Sequence, residues 1–200
     1  RALADEHGIL LIYDEVQTGF GRTAEWFAVD HFEAKPDIMA FGKGIANGFP
    51  LSAYGASREI IDAWPPGSHG TTYGGNPVSA AASGAVLDTL GDLLPHAREL
   101  AEHSYKRFHE LAVDHETIGD IRGLGLMIGV ELVEDRESRV PDKEAFEHVA
   151  KHAFDNELII ISCGPDGNVI RFIPPLITTR EELDWAIDLV DEGLRSWESS

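Results

Sequence analysis

The stretch Ile9-Leu10-Leu11-Ile12-Tyr13 sets five apolar residues in a row between Gly8 and the acidic pair Asp14-Glu15. A run this short is a strand rather than a helix, and without polar alternation it needs cover on both faces. Strands of that kind belong to parallel sheets flanked by helices, so the run commits the chain to an α/β fold. Side chains alternate along a strand, which puts Asp14 and Val16 on one face and Glu15 on the other. Ligands of open α/β sheets bind at the carboxyl ends of the strands. Asp14 therefore either faces a ligand, with Val16 as an apolar plate beside it, or caps a neighbouring loop.

Further along, Asp37 to Phe41 reads as a second strand, Gly42 to Gly48 as a glycine-rich turn, and Leu51 to Ala56 as a third strand. Ser57 is placed to cap a helix, and Trp64 to Pro77 makes a long loop rich in glycine and proline. Asn76-Pro77 opens a helix of small residues that runs to Leu90, and a separate helix is expected from Pro95 to Val113. Ile118 to Leu132 reads as strands broken by glycine, Lys143 to Asn156 as a helix, Leu158 to Ser162 and Val169 to Phe172 as strands, and Glu181 to Trp197 as a closing helix. The pattern is an α/β first half, residues 1–100, followed by an α+β second half, residues 101–200. The opening Arg1 to His7 reads as the tail of an amphipathic helix, so the chain is expected to be a portion of something longer.

The 35 acidic residues outnumber the 16 basic ones and give a formal charge of -19. Such a field repels phosphate backbones and anionic lipid surfaces, which argues against nucleic-acid and membrane partners. Cys163 is the only cysteine, so no disulfide forms within the chain, and a reducing cytoplasm is the expected location. His31, His69 and His115 have no metal-ligand spacing, and no metal is expected. Gly123-Leu124-Gly125 opens a strand rather than a helix and is not read as a dinucleotide fingerprint.

Lys43 stands between Gly42 and Gly44. Taken alone it reads as a surface lysine in a loop, the usual outcome, but the glycines leave room for a flat ligand beside the amine. A lysine amine can hold an aldehyde cofactor as a Schiff base, and a carboxylate such as Asp14 can keep a pyridine nitrogen protonated so that the ring accepts electrons. The segment His69-Gly70-Thr71-Thr72-Tyr73-Gly74-Gly75-Asn76-Pro77 offers hydroxyls, glycine amides and a helix start. It is either a phosphate cradle or a turn-rich connection capped by Asn76.

These strings together resemble a known family. Asp14-Glu15-Val16-Gln17-Thr18-Gly19-Phe20-Gly21-Arg22-Thr23, then Pro36-Asp37-Ile38, the Lys43 loop and Thr72-Tyr73-Gly74-Gly75-Asn76-Pro77 resemble class III pyridoxal-phosphate aminotransferases, with 4-aminobutyrate and acetylornithine aminotransferases nearest in pattern. The resemblance implies the second half of a fold-type-I large domain followed by a small α+β domain. It implies pyridoxal 5'-phosphate as cofactor and an amino donor and a 2-oxo acid as substrates. Lys43 is then the Schiff-base lysine and proton carrier, Asp14 the pyridinium partner, Val16 the residue packed on the ring, and Gln17 a donor near the phenolic oxygen. Thr72 reaches the cofactor phosphate of a neighbouring subunit, which implies a homodimer with shared sites. Val169-Ile170-Arg171-Phe172-Ile173-Pro174-Pro175 resembles the family segment whose arginine meets a substrate carboxylate, a task suited to the guanidinium fork of Arg171.

Ala24 departs from the glycine that often follows Arg-Thr, which touches only the local turn. The own-subunit phosphate loop and the second ring-stacking residue of the family have no counterpart here, so this chain alone is expected to turn over little. An aminomutase of the same fold and a non-catalytic remnant that binds partner subunits are the competing functions; Gln17 favours the transaminase over the aminomutase. The acidic excess also reads as a hydrated surface suited to high salt. That reading predicts a melting temperature that climbs as KCl is raised to molar levels, and a flat melting series would refute it.

Overall fold

The apolar run enters its sheet later than its hydrophobicity suggests, and two contacts explain the delay. The computed structural model describes residues 1–200, and in it helix α1, Ala2–His7, ends at Gly8 in the left-handed conformation that glycine adopts without strain. Ile9 N then donates to Ala4 O at 2.9 Å, which keeps the chain on the end of the helix. Leu11 N donates to Asp37 Oδ2 at 2.7 Å, and Asp37 also takes Arg1 Nη1 at 2.7 Å. The Arg1 guanidinium, helped by the Leu11 N–H, holds the Asp37 carboxyl below the usual carboxylate range. Strand β1 therefore spans only Ile12–Asp14.

β1 runs parallel to β2, Ile38–Phe41, and β2 pairs antiparallel with β3, Ala53–Ala56, in the order β1-β2-β3. Within residues 1–200 β1 pairs with β2 alone. Ile9, Leu10 and Ile12 stay 59%, 54% and 59% exposed. Ser57 caps the short helix α2, Arg58–Asp62, accepting from Ile60 N at 3.4 Å.

A second expectation is corrected in the next element. Instead of two helices, one helix α3 runs from Pro77 to Asp114 with Pro95 inside it. Proline removes a helical hydrogen bond and crowds the carbonyl four residues back. Here that carbonyl is on Gly91, and both Gly91 and Pro95 lie on the exposed face. Leu90, Leu94, Ala97 and Ala101 are meanwhile buried on either side of the proline. The apolar stripe continues in helical register, so burial holds the helix together across its weak point.

The chain divides into two compact units, Arg1–Leu94 and Pro95–Ser200. In the second, β4 (Ile118–Leu124), β5 (Met127–Leu132), β6 (Ile161–Cys163) and β7 (Val169–Phe172) form an antiparallel sheet in the order β4-β5-β7-β6. Helices α4, Lys143–Asp155, and α5, Arg180–Glu198, complete it. Ile128, Val130 and Leu132 alternate inward on β5 and join Val149 of α4 and Leu183, Ile187, Val190 and Leu194 of α5 in the core. Phe108 of α3 meets Phe172 edge-on, with ring centroids 5.0 Å apart. His115 is buried at the end of α3 with its ring nitrogens 2.6 Å from Asp191 and 2.7 Å from Glu198, which ties α3 to α5. No helix is long and apolar enough to cross a membrane.

Phe108 is wholly buried. Its replacement, Phe108→Ala, is expected to cost about 3–5 kcal/mol in a urea melt, the usual cost of such a cavity.

Candidate active site

The two loops that leave the carboxyl ends of β1 and β2 carry the reactive groups, and packing between them sets the geometry. Asp14 closes β1 opposite Ala40, and Glu15 N continues the ladder to Ala40 O at 2.9 Å. The Asp14 carboxylate is exposed and accepts from Val16 N at 3.0 Å. On the other strand Gly42 is buried, and a Cβ there would lie 3.2 Å from Val16 Cγ1. A larger residue there would crowd the Val16 side chain.

Lys43 opens a 3-10 turn, Lys43–Ala46, whose Ile45 and Ala46 are buried while the lysine is exposed. Its φ of 39 is left-handed, a conformation that costs a non-glycine residue strain. Next to it, a Cβ on Gly44 would come within 2.9 Å of Phe20 Cβ, so only glycine lets the two loops meet. Phe20 is in turn packed edge-on against Phe27, with centroids 5.4 Å apart, and Phe27 lies 5.2 Å from Phe41 of β2. This three-ring cluster braces the lysine turn.

Glu15, which the alternation of β1 only turned away from Asp14, organises the first loop. It is 2% exposed. Its carboxylate accepts from Ala28 N at 3.0 Å, from Val29 N at 2.8 Å and from the Thr18 hydroxyl. Three donors satisfy the buried acid and pull residues 18 and 28–29 together. Sequence reasoning missed this role because the partners lie 13 and 14 residues away in a loop without periodicity.

Gln17 is half-buried in the same loop. Thr72 belongs to the same unit but sits on the loop between α2 and α3, exposed, at a turn where Gly74 N donates to Thr71 O at 3.2 Å. That loop ends at Asn76, whose Oδ1 caps α3 by accepting from Ser79 N at 3.0 Å. Arg171 belongs to the second unit, on β7 between Gly129 and Ile161. It lines a mostly apolar groove of about 620 Å³ with Ile159, Ile161, Ile177 and Trp185. Asp14, Val16 and Lys43 are thus joined through neighbouring strands, whereas Thr72 and Arg171 stand on separate elements.

The class-III aminotransferase family model matches residues 1–194. The chain belongs to the class-III aminotransferases. It is 42% identical over 196 residues to a leucine/methionine racemase of Thermococcus litoralis, covering 97% of this chain and 44% of that protein. It is 40% identical over 194 residues to the 4-aminobutyrate aminotransferase GabT of Escherichia coli, covering 96% of this chain and 46% of that one. Among solved structures, a Bacillus anthracis aminotransferase superposes with a TM-score of 0.90 at 32% identity, over 98% of this chain and 46% of that chain. The chain therefore spans a little under half the length of these relatives. The α/β fold is that of a large part of these enzymes, and the racemase adds an activity that the motifs alone did not raise.

Family members use pyridoxal phosphate, and the residues present suit one side of it. An exposed amine, an exposed carboxylate at a strand end and the Val16 side chain come from two neighbouring loops that meet closely at Gly42 and Gly44. Because Glu15 holds the first loop, Glu15→Gln is expected to place an amide donor against N–H groups and cost about 2–3 kcal/mol locally. Hydrogen exchange checks this: the Ala28 and Val29 amides should lose protection before β2 does.

Proposed function

We propose that this chain is the lysine-bearing portion of a pyridoxal-phosphate-dependent aminotransferase that moves an amino group from an amino acid to a 2-oxo acid. One observation carries the reading. Asp14 pairs with Ala40, and Lys43 follows three residues beyond Ala40, so a carboxylate and an amine stand at the same ends of adjacent parallel strands.

Bound pyridoxal phosphate supplies an aldehyde that condenses with amines and a ring that accepts electrons from a carbon losing its proton. Lys43 Nζ would provide the amine that holds the aldehyde and would carry the proton of the substrate carbon that bears the nitrogen. Asp14 would pair its carboxylate with the ring nitrogen and so favour the ring's protonated form. Val16 would cover one face of the ring, and Gln17 would donate toward its phenolic oxygen. Thr72 binds the phosphate held by a second copy, which makes the enzyme a homodimer with shared sites. Arg171 pairs with a substrate carboxylate through its guanidinium fork. An ω-amino acid such as 4-aminobutyrate or acetylornithine is the donor, a choice supported by the relatives that carry those names. The enzyme works in the cytoplasm.

The similarity to two racemases, at 42% and 43% identity, supports a second reading. A racemase needs no 2-oxo acid, because the proton taken by Lys43 is replaced on the same carbon from the opposite face. Incubating the complete enzyme in D2O with one amino acid separates the two. Turnover that requires a 2-oxo acid supports the aminotransferase, and inversion with deuterium uptake in its absence supports the racemase.

Two outcomes are expected. In the complete enzyme, pyridoxal phosphate gives a visible absorbance band that borohydride abolishes, and Lys43→Ala removes the band; a band that survives in Lys43→Ala would sink the assignment. The 200-residue chain alone should fall far below the ~1–1000 per second typical of enzymes, since its edge strand β1 lacks cover. Ordinary turnover by the isolated chain would overturn that expectation.

A further inference from the structure

Between α2 and α3 the chain spends residues 63–76 without a helix or strand, and Thr72 lies in this stretch. A loop of that length holds a binding group accurately only if something pins it. The downstream pin is Asn76, which caps α3 through Ser79 N at 3.0 Å. Upstream, Ser68 N donates to Pro65 O at 3.1 Å, which closes a local turn but does not attach the loop to the sheet.

That attachment comes from three rings. Tyr54 Oη lies 2.6 Å from His69 Nε2. Trp64 packs against both, with centroids 5.2 Å from Tyr54 and 5.1 Å from His69, and the Tyr54 and His69 rings meet at 90°. Tyr54 is not a loop residue. It sits on β3 opposite Ala40, and Ala40 is itself opposite Asp14. Residues paired across strands share a face, so Tyr54 and Asp14 project from the same side of the sheet, two strand spacings or about 10 Å apart.

We infer that the Tyr54–His69 hydrogen bond, flanked by the Trp64 ring, is a positioning device that fixes Thr72 for phosphate binding. The inference rests on the reading of Thr72 as a phosphate ligand. His69 is three residues before Thr72 and Asn76 four after it, so Thr72 is suspended between a pin on the sheet and a pin on the helix. Loss of the upstream pin leaves the hydroxyl in place chemically but frees its position, and each binding event must then restore the order. Only ligands that carry the phosphate feel the loss.

The test compares pyridoxal phosphate with pyridoxal, which keeps the aldehyde and ring but has no phosphate, by titrating the visible band in the complete enzyme. Tyr54→Phe keeps the ring and removes the hydroxyl. It is expected to weaken pyridoxal phosphate binding about tenfold, the upper end for one neutral hydrogen bond, and to leave pyridoxal binding unchanged. His69→Ala should do the same, and the double variant should cost no more than either single one, because both break one link. Retained pyridoxal binding shows that each variant is folded. A Tyr54→Phe enzyme with an unchanged preference for the phosphorylated ligand, or additive losses in the double variant, overturns the inference. Thr72→Ala separates this from the underlying reading: if it too leaves the preference unchanged, Thr72 is no phosphate ligand and both fall together. If Thr72→Ala loses the preference and Tyr54→Phe does not, only the positioning role fails.

Discussion

A slip of one residue between β1 and β2 would turn Asp14 to the other face of the sheet and take the carboxylate away from the lysine loop. The register is held from three directions. Asp37 grips Leu11 N before the strand, Glu15 N meets Ala40 O after it, and Val16 packs onto Gly42 beyond. Glu15 then fixes where the chain goes next by gathering three donors from the loop. With the register set, the aromatic cluster of Phe20, Phe27 and Phe41 and the tight approach at Gly44 follow as packing consequences. The site is therefore a product of strand pairing more than of the loops that carry it.

How much of this could be read from residues alone depended on how local the cause was. The strand ending in Asp14, the glycine-flanked Lys43, the Ser57 and Asn76 caps and β7 are local signals, and each was legible. Pro95 is also a local signal, and it misled: the helix survives because the buried stripe from Leu90 to Ala101 outweighs one missing hydrogen bond on an exposed face. Burial of Ile9 to Tyr13 depends on neighbours that composition does not name, and within residues 1–200 β2 is the one strand beside β1. The tie between Tyr54 and His69 depends on a loop folding back over 15 residues, and no periodicity announces such a contact.

The relatives sharpen what these residues do and do not specify. Racemases and aminotransferases resemble the chain at 40–43% identity over nearly all of its length. An amine that accepts and returns a proton beside an electron-accepting ring serves either activity. What distinguishes them is where the proton goes and what holds the remainder of the substrate. Arg171 and the apolar groove that it lines belong to the second unit.

Lys43 combines a left-handed backbone with a side chain that the fold does not use for packing. Glycine or asparagine would occupy that position with less strain. On stability alone the backbone at position 43 therefore favours a residue other than lysine.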